Sequence, residues 1–341
     1  MSPNNAAFLI GPSHKPLIVK QTDEERFPDE DEIVIRNAAV AINQIDWKIQ
    51  DNPEEFELEY PFILGCDVAG VVQSVGSAVT RFSKGDRVIG HAVSLATEDD
   101  RHGGFQEYTV LMSNMATPIP KAISSERAVV LPLGVSTAAA ALFQQESLGL
   151  PRPSIEPRKT GKTVLVWGGS TSVGSNAIQL AVAAGCEVIT TASPKNFAYV
   201  KKLGAVAVVD YRSLSAVQEL VSFFSGRALA GAVDTVGSKD STRSTIEVLE
   251  KVQGNKMIVS VLELPEIMPD GIKGMDVVAL AIRENEVSRM IYEDFLPRAL
   301  ATERYTPAPD PYVVGRGLES IQGAFEAQKK VSAQKVVVTL F

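Results

Sequence analysis

Thr163-Val-Leu-Val-Trp167-Gly168-Gly169-Ser170-Thr171-Ser172-Val173-Gly174 is the stretch that decides the fold. Its opening run is apolar without period-2 alternation, the pattern of a strand buried on both faces of a parallel sheet. Gly168, Gly169 and Gly174 supply a tight turn and a close helix–strand approach. The backbone amides and the hydroxyls of Ser170, Thr171 and Ser172, with Val173 opening the helix, can donate to a pyrophosphate at a helix N-terminus. The spacing is not a strict G-x-G-x-x-G, and an ordinary Gly-rich loop shares the composition, so the flanking chain decides.

Downstream, a helix is predicted from about Val173 to Ala184, with Gly185 as its C′ residue. Strands at Glu187–Thr191, Val206–Asp210, Ala230–Val236 and Lys256–Leu262 alternate with helical segments such as Tyr199–Leu203. That alternation predicts an α/β fold with a doubly wound parallel sheet of Rossmann type. Upstream, the texture differs. Val34–Arg36, Val68–Val72, Arg87–Gly90 and Gln106–Val110 are short β runs punctuated by Gly76, Gly85-Asp86 and Gly103-Gly104, which predicts a barrel-like β unit. Ala138–Leu142 is helix material, Pro151–Pro157 a surface loop, Gly317–Ala327 an amphipathic helix and Lys335–Leu340 a closing strand.

A chain of 341 residues suggests about two domains. With 45% hydrophobic and 22% charged residues it can bury a core. The 41 acidic against 33 basic residues give a net charge of −8, the opposite of a nucleic-acid or anionic-membrane surface. Cys66 and Cys186 are the two cysteines, too few for a disulfide scaffold or a four-cysteine zinc site, and a reducing cytoplasmic setting is expected. Met1–Ile10 lacks a basic region and a long apolar run, so no signal peptide is expected. The longest apolar stretch, Val129–Phe143, holds Pro132 and Gly134 and falls short of the ~20 residues of a membrane span. His14, His91 and His102 lie apart in polar or turn contexts and are read as surface or structural.

The end of the second strand distinguishes the two nicotinamide dinucleotides. An NAD site usually carries an acid there to hold the ribose hydroxyls. This chain reads Thr190-Thr-Ala-Ser193-Pro194-Lys195-Asn196, which offers a serine and a lysine to a 2′-phosphate and no carboxylate to repel it. NADPH is therefore the expected cofactor, a solvated polar turn being the alternative. Tyr211 is placed to pack on adenine or ribose, or is a plain surface tyrosine.

Further segments carry a family likeness. Pro61-Phe-Ile-Leu-Gly65-Cys66-Asp67-Val-Ala-Gly70-Val-Val-Gln-Ser-Val-Gly76, Phe82-Ser-Lys-Gly85-Asp86-Arg87-Val88, Gly103-Gly-Phe-Gln-Glu-Tyr108, the Gly-rich turn and Lys335-Val-Val-Val338 follow one another in the order of the medium-chain dehydrogenases/reductases. The chain resembles that superfamily over nearly its whole length. The resemblance implies a GroES-like β-barrel catalytic domain built from both chain ends, expected over 1–126 and 276–341, around a Rossmann NADPH-binding domain over 127–275. Zinc alcohol dehydrogenases carry Gly-His-Glu where Gly65-Cys66-Asp67 stands, and their four-cysteine lobe is absent, so no zinc or other metal is expected. Asn43-Gln-Ile-Asp46-Trp47-Lys48-Ile49, Leu131-Pro-Leu-Gly134-Val-Ser136-Thr137-Ala138 and Ser193–Asn196 are similar to the zinc-lacking branch: the fungal trans-acting enoyl reductases of polyketide synthases and, less closely, quinone oxidoreductases.

The resemblance implies reduction of an α,β-unsaturated thioester on a carrier protein, with a polyketide synthase as partner. Hydride addition to the β-carbon puts negative charge on the carbonyl oxygen, which preorganised donors stabilise before a proton reaches the α-carbon. Lys48 and Thr137 are the catalytic candidates, although Lys48 also reads as a solvated charge in a turn and Ser136-Thr137 as a helix cap. Cofactor contacts are expected from Asp46, Trp47, Lys48, Ile49, the Gly168–Gly174 turn, Ser193–Asn196, Tyr211, Val261, Leu262, Val331 and Ser332. Substrate contacts are expected from Pro132, Leu133, Gly134, Val135, Ser136, Thr137 and Ala138. Val278, Ala279, Leu280, Ala281 and Ile282 are either an acyl-pocket wall or core. Competing readings are a quinone or small-enone oxidoreductase, a saturated-carbonyl reductase disfavoured by the lost zinc ligand, and a non-catalytic nucleotide-binding protein. Substrate chain length, proton donor and oligomeric state, monomer or homodimer, stay open.

Overall fold

The apolar run before the glycines forms strand Lys162–Trp167, buried from Thr163 onward. It lies inside a six-stranded, wholly parallel sheet. Across that sheet the strands are Ala207–Asp210, Glu187–Ala192, Lys162–Trp167, Ala228–Asp234, Met257–Ser260 and Lys273–Asp276. In chain order this is third, second, first, fourth, fifth, sixth, the Rossmann arrangement, whose order reverses beside the first strand. Helices Ser172–Ala183, Phe197–Lys202, Ala216–Phe223 and Lys239–Lys251 connect the strands. Gly185 takes φ 84° after the first of them, the left-handed C′ conformation expected of it.

The computed structural model describes residues 4–22 and 25–341, so the first three residues of the Met1–Ile10 stretch lie outside the described residues. The chain divides into two units, Met1–Leu133 with Pro307–Phe341, and Gly134–Thr306. The second unit thus runs past the expected end at 275. Lys273–Asp276 joins the sheet as its sixth strand. Beyond it, Tyr292 shares a hydrogen bond with Ser136 at 2.8 Å. Tyr305 donates to Asn176 at 2.7 Å, and Thr306 accepts from Gln179 at 3.1 Å. The unit also begins later than 127: Leu133 donates its amide to Asp67, and Arg127 pairs with Asp310, both within the first unit.

In the first unit, strand Glu32–Ala41 is the organiser. Register shifts at Val34/Ile35 and Asn37/Ala39 accompany its pairing with Asp67–Val75. One end of it pairs with Tyr108–Met112 and the other with Gln334–Thr339, so the C-terminal strand sits beside N-terminal ones. Arg87–His91, Ala116–Pro118 and an edge strand Asp310–Arg316 complete a seven-stranded sheet. The core includes Phe105 from the N-terminal part and Phe325 from helix Ile321–Gln328, their ring centroids 5.9 Å apart.

Three local expectations are corrected. The strand expected at Gln106–Val110 starts at Tyr108, because the Gln106 side chain turns inward and donates to the carbonyls of Asp100 and Gly103. Asn43–Ile49 is not a turn: Lys48 lies in helix Gln44–Asp51. The helical stretch Ser125–Phe143 has the length and composition to cross a membrane, against the expectation, but 83% of its apolar window is buried inside the protein.

Gly134 shows why that helix needs a glycine. A Cβ there would stand 2.7 Å from both Asn176 Nδ2 and Ser172 Oγ of the neighbouring helix. Gly134→Ala is therefore expected to destabilise by about 1–3 kcal/mol through overpacking. Gly323→Ala, in helix Ile321–Gln328 with open space at its Cβ, should stabilise by about 0.5–1 kcal/mol. Denaturant midpoints of the two variants moving in the same direction would contradict this packing.

Candidate active site

In the second unit, the glycine-rich turn is over-determined. Gly168 takes φ 86°, and a Cβ on it would lie 2.7 Å from Val236 Cγ2 and 2.8 Å from Thr235 Oγ1. A Cβ on Gly169 would lie 2.2 Å from Thr190 Oγ1, and one on Gly174 2.2 Å from the Gly168 carbonyl. Each glycine is thus required by a different neighbour. Gly168 and Gly169 donate their amides to Thr191 Oγ1 and Thr191 O, both at 2.9 Å. Thr171 caps helix Ser172–Ala183, accepting the Gly174 amide at 2.9 Å.

These bonds leave the amides of Ser170, Ser172 and Val173 without an acceptor among the described residues. The Ser172 hydroxyl is likewise buried without a partner among them. Uncommitted donors at the N-terminus of a twelve-residue helix suit an anionic group, so the residues present fit a dinucleotide pyrophosphate.

At the tip of the second strand, Ser193 is buried and Lys195 exposed, with no carboxylate at ion-pair distance from Lys195 among the described residues. An acid does stand nearby, unforeseen from the second strand alone. Register pairs Ala192 with Asp210 at the end of the third strand. Its Oδ1 accepts the Arg212 amide at 3.1 Å. Tyr211 is 43% exposed, and the Arg212 guanidinium lies 5.0 Å from its ring centroid. Past the fourth, fifth and sixth strands, the exposed apolar residues Val236, Leu262 and Val278 each follow by two positions the register row Asp234, Ser260, Asp276. Val261 and Ala279–Ala281 are partly exposed, whereas Ile282 is buried.

Helix Pro132–Phe143 is buried throughout except at Leu133. Its Val135, Ser136, Thr137 and Ala138 are therefore enclosed. Ser136 engages Tyr292 OH, and Thr137 retains 6% exposure. Tyr292 lies in the π-helical segment Met290–Phe295. Nothing in the local sequence signals it.

In the first unit, Asp46, Trp47, Lys48 and Ile49 share one helix but not one environment. Ile49 and Asp46 are fully buried. Trp47 donates Nε1 to Gln328 at 2.5 Å and carries Lys329 over its ring at 5.1 Å. Lys48 is half-buried with no carboxylate at ion-pair distance among the described residues. Val331 is half-buried and Ser332 exposed.

Beneath that helix lies a polar cluster that sequence reading missed. Asp67, fully buried, is 2.8 Å from Lys335 Nζ and accepts from Asn43 Nδ2 at 2.8 Å and from the Leu133 amide at 2.6 Å. Lys335 also donates to Asn43 Oδ1. Asp46 accepts the Asn43 amide at 2.7 Å. Burial raises the Asp46 carboxyl to about 7, assisted by the Asp67 charge and opposed by the Asn43 amide. His91, paired in register with Asp67, is not the turn histidine expected; burial lowers its pKa to about 4. The Cys66 thiol is pushed well up by burial and by the charges of Asp46 and Asp67.

This donor set does not fit a metal. A zinc ligand must be free to coordinate, whereas Asp67 is committed to three donors, Lys335, Asn43 and the Leu133 amide. Among the described residues, no group of three or more His, Cys, Asp or Glu side chains is arranged to hold an ion.

Known proteins share this architecture. The family described as alcohol dehydrogenase GroES-like domain matches residues 29–121, and the one described as zinc-binding dehydrogenase matches residues 172–294. The chain is similar to the dehydrogenase pigH of Monascus ruber, 45% identical over 99% of this chain and 100% of that protein. It is similar to the trans-enoyl reductase himH of Aspergillus japonicus, 42% identical over 91% of this chain and 90% of that protein. Its fold matches an alcohol dehydrogenase superfamily protein from Novosphingobium aromaticivorans with a TM-score of 0.80 at 24% identity, over 99% of this chain and 100% of that one.

The buried cluster makes stability depend on pH in two opposed ways. Asp46 keeps, when folded, a proton that the unfolded chain releases above about pH 4, so its contribution falls as pH rises toward 7. His91 has shed, when folded, a proton that the unfolded chain keeps below about 6.5, so its contribution is lost as pH falls toward 4. Between those limits the slopes offset, each at most ~1.4 kcal/mol per pH unit. Asp46→Asn should therefore gain stability relative to wild type as pH rises from 4 to 6.5, and His91→Gln should lose it. Superimposable pH profiles of the urea midpoint for all three proteins would refute the assignment.

Proposed function

The chain belongs to the medium-chain dehydrogenase/reductase superfamily of oxidoreductases, and from that premise we propose that it is an NADPH-dependent, zinc-independent enoyl reductase. The observation that carries the reading is the capped glycine turn with its uncommitted amides, set in a sheet whose second strand ends in Ser193 and Lys195 rather than an acid. The likeness to a protein named a trans-enoyl reductase supports an α,β-unsaturated substrate. A polyketide-type thioester carried by a partner synthase is the proposed form.

The amides of Ser170, Ser172 and Val173 hold the pyrophosphate, and Ser193 and Lys195 the 2′-phosphate, with Pro194 and Asn196 shaping that turn and Tyr211 lying against the adenosine. Asp210, at the end of the third strand, turns Oδ1 to the Arg212 amide. When bound, NADPH supplies the hydride. Lys48 has no competing carboxylate and is the donor assigned to the developing oxyanion, while Thr137 provides the hydroxyl of the buried helix. The partly exposed apolar row from Val278 to Ala281 is assigned to the acyl chain.

The test is cofactor consumption with crotonyl- and longer enoyl-thioesters. NADPH oxidation that requires the thioester, exceeds that with NADH and survives chelation is the expected result. Lys195→Glu should raise KM for NADPH about 10–100-fold, the loss of one charge-assisted contact, and leave KM for NADH unchanged. Turnover with quinones but none with thioesters would replace the substrate assignment, and NADPH binding without any turnover would leave a nucleotide-binding protein.

A further inference from the structure

Asp234 ends the fourth strand of the parallel sheet, fully buried, with no Lys, Arg or His at ion-pair distance among the described residues. Four neutral donors satisfy its oxygens instead. Oδ1 accepts the amides of Val236 and Gly237, both at 3.0 Å. Oδ2 accepts Ser241 Oγ at 2.7 Å and Thr242 Oγ1 at 3.1 Å, from the first turn of the thirteen-residue helix Lys239–Lys251. A buried carboxylate so held fixes its loop sharply, since leaving any donor unmet is costly.

The clamped loop is what touches the dinucleotide turn. Thr235 Oγ1 donates toward the carbonyls of Trp167 and Gly168 at 2.7 and 3.0 Å. It accepts from Thr171 Oγ1 at 3.0 Å, and Thr171 in turn caps the Gly174 amide. Val236 occupies the space that a Cβ on Gly168 would need. One chain of bonds therefore runs from Asp234 through its loop to both sides of the pyrophosphate turn.

We propose that Asp234 is a positioning residue for the cofactor: through Thr235 and Val236 it holds the Gly168 carbonyl and the Thr171 cap, so that the uncommitted amides of Ser170, Ser172 and Val173 converge on the pyrophosphate. The inference rests on the dinucleotide reading above and adds to it a residue outside the glycine turn.

The test reads binding rather than activity, by energy transfer from tryptophan to bound NADPH, with fold integrity followed by thermal melting. Asp234→Ala is expected to raise the NADPH Kd about 10–100-fold at temperatures where the protein remains folded. Asp234→Asn, which keeps an oxygen for the two amides, should recover most of the affinity. Thr235→Val should weaken binding alone and add little to Asp234→Ala, as members of one chain do. Val248→Ala, a cavity in the same helix away from the loop, should lower the melting temperature and leave Kd unchanged. Wild-type affinity in folded Asp234→Ala, or a Kd that tracks melting temperature across all variants, would overturn the role while leaving the dinucleotide site intact. A wild-type chain that binds neither NADPH nor NADH would overturn both.

Discussion

The buried Asp67 carboxylate is the interaction on which the first unit depends. A charge at 0% exposure is tolerated only when its partners are complete. Here Lys335 comes from the last strand, Asn43 from the start of the Gln44–Asp51 helix, and the Leu133 amide from the first turn of helix Pro132–Phe143. Three segments distant in sequence are tied to one carboxyl group. Truncating one member of such a set costs about 3–5 kcal/mol, because a charge is then left buried and unpaired. The same commitments engage both Asp67 oxygens, Oδ1 by the Leu133 amide and Oδ2 by Asn43 and Lys335.

The second unit solves a different problem: it must present bare amides to an anion without letting the turn collapse. It does so by engaging the neighbouring amides of the turn. Thr191 takes the amides of Gly168 and Gly169, Thr171 takes that of Gly174, and Thr235 braces the carbonyl side. The glycines are needed because backbone and hydroxyl groups crowd where side chains would go. Asp234, on the neighbouring strand in register with Trp167, supports the arrangement from the flank. Preorganisation of this kind lowers the cost of ordering when a ligand binds.

Several features were legible in the chain because they are written in local pattern. The parallel sheet announced itself through unbroken apolar runs alternating with helices, and the turn through Gly168, Gly169 and Gly174. The absence of an acid after the second strand was equally readable, being a matter of which residues are there. Other features were not legible. Asp210 belongs to the third strand, and only the register with Ala192 brings it to the tip of the second. His91 reads as an isolated histidine until strand pairing sets it against Asp67. Asp46, grouped with Trp47 and Lys48 by adjacency, faces the interior because successive helix residues point about 100° apart.

By itself, then, the sequence determined the architecture and the nucleotide turn, since both rest on periodicity and on glycines whose conformational freedom is a property of the residue. Tertiary structure decided which polar groups are spent and which are left over. It committed Ser136 to Tyr292, Asp67 to Lys335 and Thr171 to Thr235, and it left the amides of Ser170, Ser172 and Val173 unengaged. It also carried the second unit through Thr306, because residues far beyond the last alternating strand return to bond Asn176 and Gln179. The physical reason is the same throughout: a hydrogen bond or ion pair is a relation between groups that meet only when the chain has folded, and no local pattern records which pairs will meet.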